Sequence, residues 1–96
     1  MSATQTVRDT EVGTDTIPRH EDLFQVVLHN DDWNTMDHVV RCLMRIFGHS
    51  EALAVKIMLE AHARGKAIAE VEAETEAKKH RDQLQSAGLI ATVERV

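Results

Sequence analysis

The sequence has few of the residues that several common kinds of site require. Its 96 residues include one Cys, one Pro, one Trp, two Phe and no Tyr. A single cysteine, Cys42, excludes an internal disulfide and any cysteine-based zinc cluster. No apolar run approaches the ~18 residues of a membrane span, and the first residues lack the basic start and apolar centre of a secretory signal. These absences predict a soluble, cytoplasmic protein that does not bind a membrane.

The chain also lacks an excess of positive charge. Lys and Arg number 11 against 16 Asp and Glu, which gives a formal net charge of −5. Binding to a phosphate backbone requires a basic surface, so nucleic acid is not expected as a partner, whereas a cationic ligand is electrostatically reasonable. The six histidines form no His-x-x-x-His or HExxH pattern. We therefore expect no metal site and no cofactor.

Catalytic motifs are equally scarce. The four glycines are isolated, Cys42 falls inside a helix pattern, and no serine has the context of a nucleophile elbow. An acid-base pair of Asp31 or Asp32 with His62 is conceivable, but so short a chain leaves little room for a cleft that excludes water. A binding protein without catalytic residues is the favoured interpretation, and a small acid-base enzyme is the third alternative.

Composition divides the chain in two. Residues 1–22 contain five Thr, the only Pro and scattered apolar residues, which predicts a disordered N-terminal arm. Residues 23–96 have the periodicity of a folded domain. The predicted elements are a strand from Leu23 to Asn30, a helix capped by Asn34 and ended by Gly48, a helix from Ser50 to Gly65, a strand from Lys66 to Val71, a helix from Glu72 to Ser86 and a strand from Leu89 to Val96. This β-α-α-β-α-β order predicts an α+β domain, with a three-stranded antiparallel sheet covered on one face by three helices.

The segment between the first strand and the first helix is unusually polar. Two carboxylates, Asp31 and Asp32, and two amides, Asn30 and Asn34, fall within five positions. Short polar side chains suit a turn because they bond to nearby backbone groups. A turn explains one or two of them. Four of them together point to the recognition of a polar group.

His62 and an apolar set complete the candidate site. If the turn lies beside the C-terminal half of the second helix, the His62 imidazole would join the turn's oxygens around a protonated α-amine. Apolar residues beneath this rim could line a hole for one side chain. The candidate rim and pocket residues are Asp31, Asn34, Met36, Val39, Met58, Ala61 and Leu89. Plain core packing is the alternative for Met58 and Leu89, and a partly exposed helix position is the alternative for His62.

The polar turn and the segment Met58–Ala67 together resemble the signature of the ClpS family of bacterial protease adaptors. The resemblance extends over residues 23 to about 68 and over the closing strand from Leu89. Ala61 stands where the family often has Val, and Trp33 where it usually has Tyr. The segment from Ala67 to Leu89 is shorter than in typical members.

The resemblance implies roles for particular residues. Asn30, Asp32 and His62 would hold the α-amine of a substrate protein's first residue, and Met36 would disfavour β-branched first residues. Substrates would begin with Leu, Phe, Tyr or Trp and would be delivered to the N-terminal domain of a Clp-type AAA+ unfoldase and its peptidase. The alternative is an interaction module of this family that docks on an unfoldase without capturing a first residue. The element order also resembles the C-terminal domain of the bacterial ribosomal stalk protein, which would suggest a translation-factor partner by fold analogy alone.

Overall fold

The computed structural model describes residues 22–96. The predicted arm, residues 1–22, lies outside the described residues except for Asp22. The elements are β1 (Leu23–His29), α1 (Met36–Phe47), α2 (Glu51–Arg64), β2 (Lys66–Ala73), α3 (Glu74–Ser86) and β3 (Ile90–Arg95). The predicted β-α-α-β-α-β order and the α+β class are confirmed.

β1 is the central strand of the sheet, and it pairs antiparallel with β2 on one side and β3 on the other. Val26 and Leu28 are 0% and 2% exposed and belong to the core that the helices cover. Val27 points to the opposite face yet is also buried, because Ile68 and Thr92 flank it from the two partner strands. The central position explains why β1 is the most apolar of the three strands.

A β-bulge interrupts the pairing of β1 with β2. Val26 pairs with Glu70 and Val27 pairs with Ile68, so Ala69 is the extra residue on β2. The Ala69 carbonyl accepts a hydrogen bond of 2.8 Å from His49 Nε2. The loop between α1 and α2 therefore satisfies a backbone group at the bulge.

The start of α1 differs from the prediction. Thr35 caps the helix, and its hydroxyl accepts from the His38 N–H at 3.1 Å. The assignment of Asn34 as the cap is wrong, because the Asn34 side-chain amide donates instead to the Asp31 carboxylate and to the Gly88 carbonyl. The other predicted ends of the first two helices are confirmed: Gly48 ends α1, Ser50 caps α2 and Gly65 ends it.

The junction of β2 and α3 also differs from the prediction. α3 begins at Glu74, two residues later than expected, because Glu72 still pairs with Phe24 in the sheet. The Glu72 carboxylate lies 2.6 Å from His80 Nδ1. A partner on a later element keeps Glu72 in the strand although its own sequence favours a helix.

The core lies between the sheet and the helices. Leu43, Leu84, Val26 and Cys42 are its largest fully buried side chains, and burial is usual for a free cysteine, which packs as a small apolar residue. Within residues 22–96, no helix is long and apolar enough to cross a membrane.

Candidate functional site

A cavity of about 220 Å³ lies where the end of β1, the following turn, the start of α1 and the C-terminal half of α2 meet. Its lining combines polar residues with apolar ones. The lining residues are Leu28, His29, Asn30, Asp31, Asp32, Asn34, Met36, Val39, Met58, Ala61 and His62. Nine of the ten residues proposed from the sequence are therefore brought together at one cavity.

Leu89 is the tenth, and the structure does not bring it to this cavity. It is 4% exposed within the core, and its N–H donates to the Leu84 carbonyl at the end of α3. Conversely, the sequence analysis missed Leu28 and His29, which line the cavity. Their position as the last two residues of a strand that runs into the polar turn was the signal available.

The start of the turn is tied to the end of α2. The Asn30 N–H donates to the Gly65 carbonyl at 2.9 Å. Gly65 adopts φ 91°, a conformation that favours glycine because it has no Cβ. This contact sets Asn30 beside the last turn of α2, which carries His62.

Asp31 organises the turn. Its Oδ1 accepts from the Trp33 N–H at 3.1 Å and from the Asn34 N–H at 2.8 Å, and its Oδ2 accepts from Asn34 Nδ2 at 2.9 Å. Partial burial favours the neutral acid, but these hydrogen bonds, together with the charge of His38, outweigh it and lower the pKa of Asp31. The Asp31 carboxylate is thus ionised, and its oxygens already accept hydrogen bonds from Trp33 and Asn34.

The side chains of Asn30, Asp32 and His62 are in the opposite situation. Within residues 22–96, none of the three has a hydrogen-bond or ion-pair partner. All three are exposed and all three line the cavity. An amide oxygen, a carboxylate and an imidazole are therefore available to an incoming group at one place.

The apolar residues of the cavity are on the whole more buried than these groups. Met58 and Ala61 are 9% and 4% exposed, Val39 is half-buried, and Met36 is 50% exposed. An enclosed apolar cavity of ~150 Å³ can hold a benzene ring, so the present volume is sufficient for one large side chain. Met36 and Met58 are flexible and can adapt to ligands of different shape.

No other arrangement in the described residues suggests a reactive centre. Residues 22–96 contain no group of three or more His, Cys, Asp or Glu side chains that could hold a metal ion. Cys42 Sγ lies 3.6 Å from His38 Nε2 and 3.9 Å from Arg45 Nη2, but the Cys42 side chain is 0% exposed. A substrate therefore cannot reach this thiol in the folded protein.

Solved structures and curated proteins similar to this chain agree on one family. The structure of Agrobacterium tumefaciens ClpS2 bound to L-phenylalaninamide superimposes with a TM-score of 0.70 at 30% identity, over 79% of this chain and 99% of that chain. The ATP-dependent Clp protease adapter protein ClpS of Shewanella piezotolerans is 35% identical over 71% of this chain and 67% of its own length. The chloroplastic adapter protein CLPS1 of Arabidopsis thaliana is 42% identical over 74% of this chain.

Length distinguishes the chain from some of these relatives. The match covers 45% of the Arabidopsis protein and 47% of the Desulfatibacillum aliphaticivorans ClpS, so the chain spans about half the length of the curated relatives it matches there. The model of the family described as ATP-dependent Clp protease adaptor protein ClpS matches residues 19–92. That description names an adaptor of a protease and not an enzyme, as the sequence predicted. The chain belongs to the ClpS family.

Proposed function

We propose that this protein binds the free α-amine and the bulky apolar side chain of a substrate protein's first residue. It then delivers the substrate to a Clp-type AAA+ unfoldase and its peptidase. One observation carries the proposal: three polar side chains without partners in the described part of the chain surround the mouth of one apolar cavity. Exposed polar side chains are ordinarily hydrated, so what supports the proposal is the convergence of these three groups on one concave site that also has apolar walls.

An ammonium group matches this mouth in charge and in number of donors. It carries three N–H donors and no acceptor, while Asn30 Oδ1, the Asp32 carboxylate and a neutral His62 nitrogen can each accept one bond. A terminal α-amine has an ordinary pKa of ~7.7–8.0 and is mostly cationic near neutral pH. An internal peptide nitrogen is neutral and offers at most one donor. Selection for the start of a chain follows from this difference.

The ligand of the Agrobacterium neighbour supports the same assignment. That ClpS2 was solved with L-phenylalaninamide, a small molecule with a free α-amine and a phenyl side chain. Its amine corresponds to the group expected at the polar mouth of the present cavity, and its phenyl ring to the group expected below. First residues whose large side chain is aromatic or is not branched at Cβ, namely Leu, Phe, Tyr and Trp, fit this combination.

The expected affinity is modest. Burial of one Leu or Phe side chain contributes ~1.5–3 kcal/mol, and each hydrogen bond to a charged group adds ~1.5–3 kcal/mol. Association itself costs ~4–15 kcal/mol. The favourable terms exceed this cost by little, so the dissociation constant should be micromolar at best, which suits an adaptor that must release its substrate.

We propose that delivery takes place in the cytoplasm, by docking on the N-terminal domain of the unfoldase. The support for this step is the family description, which names the Clp protease.

The direct test is a fluorescence titration with three peptides of the same sequence. One begins with Phe, the second is its N-acetylated copy and the third begins with Asp. The Phe peptide should bind in the micromolar range, and the other two should bind at least tenfold more weakly. Equal binding of the free and acetylated peptides would refute capture of the amine and would favour an interaction module without a first-residue pocket.

A further inference from the structure

The turn that carries Asn30 and Asp32 is held at both ends. At its start, the Asn30 N–H donates to the Gly65 carbonyl. At its end, Asn34 Nδ2 donates to Asp31 Oδ2 and to the Gly88 carbonyl, both at 2.9 Å. The first contact fixes the turn to α2, and the second fixes it to the short turn between α3 and β3.

His38 makes a second contact with that same short turn. Its Nε2 lies 2.9 Å from the Ala87 carbonyl, and this nitrogen is the donor because a carbonyl oxygen only accepts. Its own N–H donates to the Thr35 hydroxyl at the start of α1. Two side chains, Asn34 and His38, thus bind the adjacent carbonyls of Ala87 and Gly88.

These two bonds matter for the site because the side chains in this turn that are proposed to bind the amine are not held by hydrogen bonds of their own. Asn30 and Asp32 have no side-chain partner within residues 22–96, so the backbone of the turn sets their direction. Exposed turns are mobile unless they are anchored. A turn that had to be ordered during binding would lose affinity through the entropy cost of ordering it.

We propose that Asn34 and His38 are positioning residues, which hold the turn on the α3–β3 turn so that Asn30 and Asp32 face His62 before a ligand arrives. This inference rests on the proposed function. Asn34 also lines the cavity and could touch a ligand, whereas His38 is not among the lining residues. His38 therefore gives the cleaner test.

The chain offers a matched control for His38. His49 also donates from Nε2 to a backbone carbonyl, that of Ala69, at 2.8 Å, and both histidines are half-buried. The Ala69 carbonyl belongs to the bulge of β2 and not to the site. Replacement of either histidine by alanine removes one bond to a backbone carbonyl and one side-chain contact, with Cys42 Sγ for His38 and with the Phe47 ring for His49. Only His38→Ala frees the turn that carries Asn30 and Asp32.

The experiment measures the dissociation constant of a Phe-first peptide for the wild type, His38→Ala, His49→Ala and His38→Gln. Loss of one anchoring hydrogen bond should weaken binding by about three- to tenfold in His38→Ala. His49→Ala should bind like the wild type, although its urea midpoint falls. His38→Gln keeps an N–H donor at a similar reach and should recover most of the lost affinity. Hydrogen exchange of the Trp33 and Asn34 amides should accelerate in His38→Ala alone.

The outcomes separate this inference from the proposed function. If the wild type prefers the free peptide over its acetylated copy but His38→Ala binds as tightly as the wild type, the positioning role is wrong and amine capture stands. An equal loss in His38→Ala and His49→Ala would reduce the effect to general stability and would also overturn the inference. If the wild type does not distinguish the two peptides, both proposals fail. Should His38→Ala not fold, Asn34→Ala supplies the second arm, with the same expected acceleration of amide exchange in the turn.

Discussion

The two ends of the α1–α2 helix pair differ in whether their polar side chains have hydrogen-bond partners within the described residues. Near the loop between the helices, His49 donates to a carbonyl and His80 pairs with Glu72. The Phe47 ring lies between the two imidazoles, with centroids 5.1 Å from His49 and 4.8 Å from His80. Each polar side chain of this far cluster, formed by Phe47, His49, Glu72 and His80, has a hydrogen-bond partner within the described residues.

At the other end of the pair, the side chains of Asn30, Asp32 and His62 have no partner within the described residues. Both ends contain histidine and an acidic residue, so composition does not distinguish them. The difference lies in pairing and in the presence of a cavity. Polar side chains that bond within the protein stabilise the fold. Polar side chains without such partners, beside a cavity, are suited to binding a ligand.

The largest expected effect comes from breaking the far cluster. Phe47→Ala removes a half-buried ring that packs against the core and two imidazoles. The free energy of unfolding should fall by about 2–4 kcal/mol, measured by urea denaturation. The peptide affinity of the folded protein should stay unchanged, because the cavity lies at the opposite end of α1. A fall in affinity under conditions where the variant is folded would contradict the separation of the two ends.

The complementary experiment removes one carboxylate at the end of the helix pair that carries the cavity. Asp32→Ala should weaken binding of a Phe-first peptide by about tenfold or more, because a charged acceptor is lost. The free energy of unfolding should change by no more than about 0.5 kcal/mol, since Asp32 is exposed and has no partner in residues 22–96. Asp37→Ala is the control: Asp37 is also exposed but pairs with Arg41 outside the cavity. Similar losses in both variants would indicate a general charge effect.

A third variant sharpens the comparison at the floor of the cavity. Ala61 lines the cavity and is 4% exposed, so Ala61→Val adds two methyl groups to the space for a ligand. Binding of a Trp-first peptide should weaken by about three- to tenfold, while a Leu-first peptide should lose less. Ala63→Val, at an exposed position of the same helix, controls for the lower helix propensity of Val. An equal effect on Trp and Leu peptides would exclude a size limit set at this position.

The smallest effect is the pH dependence of the turn. Asp31 has a pKa below its ordinary value of 3.8, because the Asn34 and Trp33 hydrogen bonds outweigh partial burial. A lowered pKa in the folded state means that the stabilisation is present above the ordinary value and is lost as pH falls through the folded value. The urea midpoint of the wild type should exceed that of Asp31→Ala near pH 6, and the difference should shrink as the pH falls below the ordinary value of 3.8. A difference that persists unchanged in acid would contradict this role of the carboxylate.

The sequence predicted what depends on neighbouring residues. Gly48, Gly65 and Ser50 define helix ends through local geometry, and their roles are confirmed. The polar turn was recognisable because four short polar residues in five positions exceed what a turn requires. Residues near each other in sequence therefore indicated both the fold and the site.

The errors concern residues whose partners are distant in sequence. Asn34 was assigned as a cap, but its amide donates to Gly88 across the fold. Glu72 was assigned to a helix, but Phe24 in the sheet and His80 in α3 hold it in β2. The local sequence pattern could not reveal these contacts, because the same side chain can cap a helix or form a hydrogen bond with a residue distant in sequence. The bulge at Ala69 was missed for the same reason.

The central claim is that the open polar mouth binds an α-amine. Amide chemical shifts of the labelled protein, recorded with L-phenylalaninamide and then with its N-acetylated form, test it most directly. The free amine should shift the amides of residues 30–34 and those around His62, with little change around His49 and His80, and the acetylated form should shift none of them strongly. Equal shifts with both ligands, or shifts centred on the far cluster, would contradict the account.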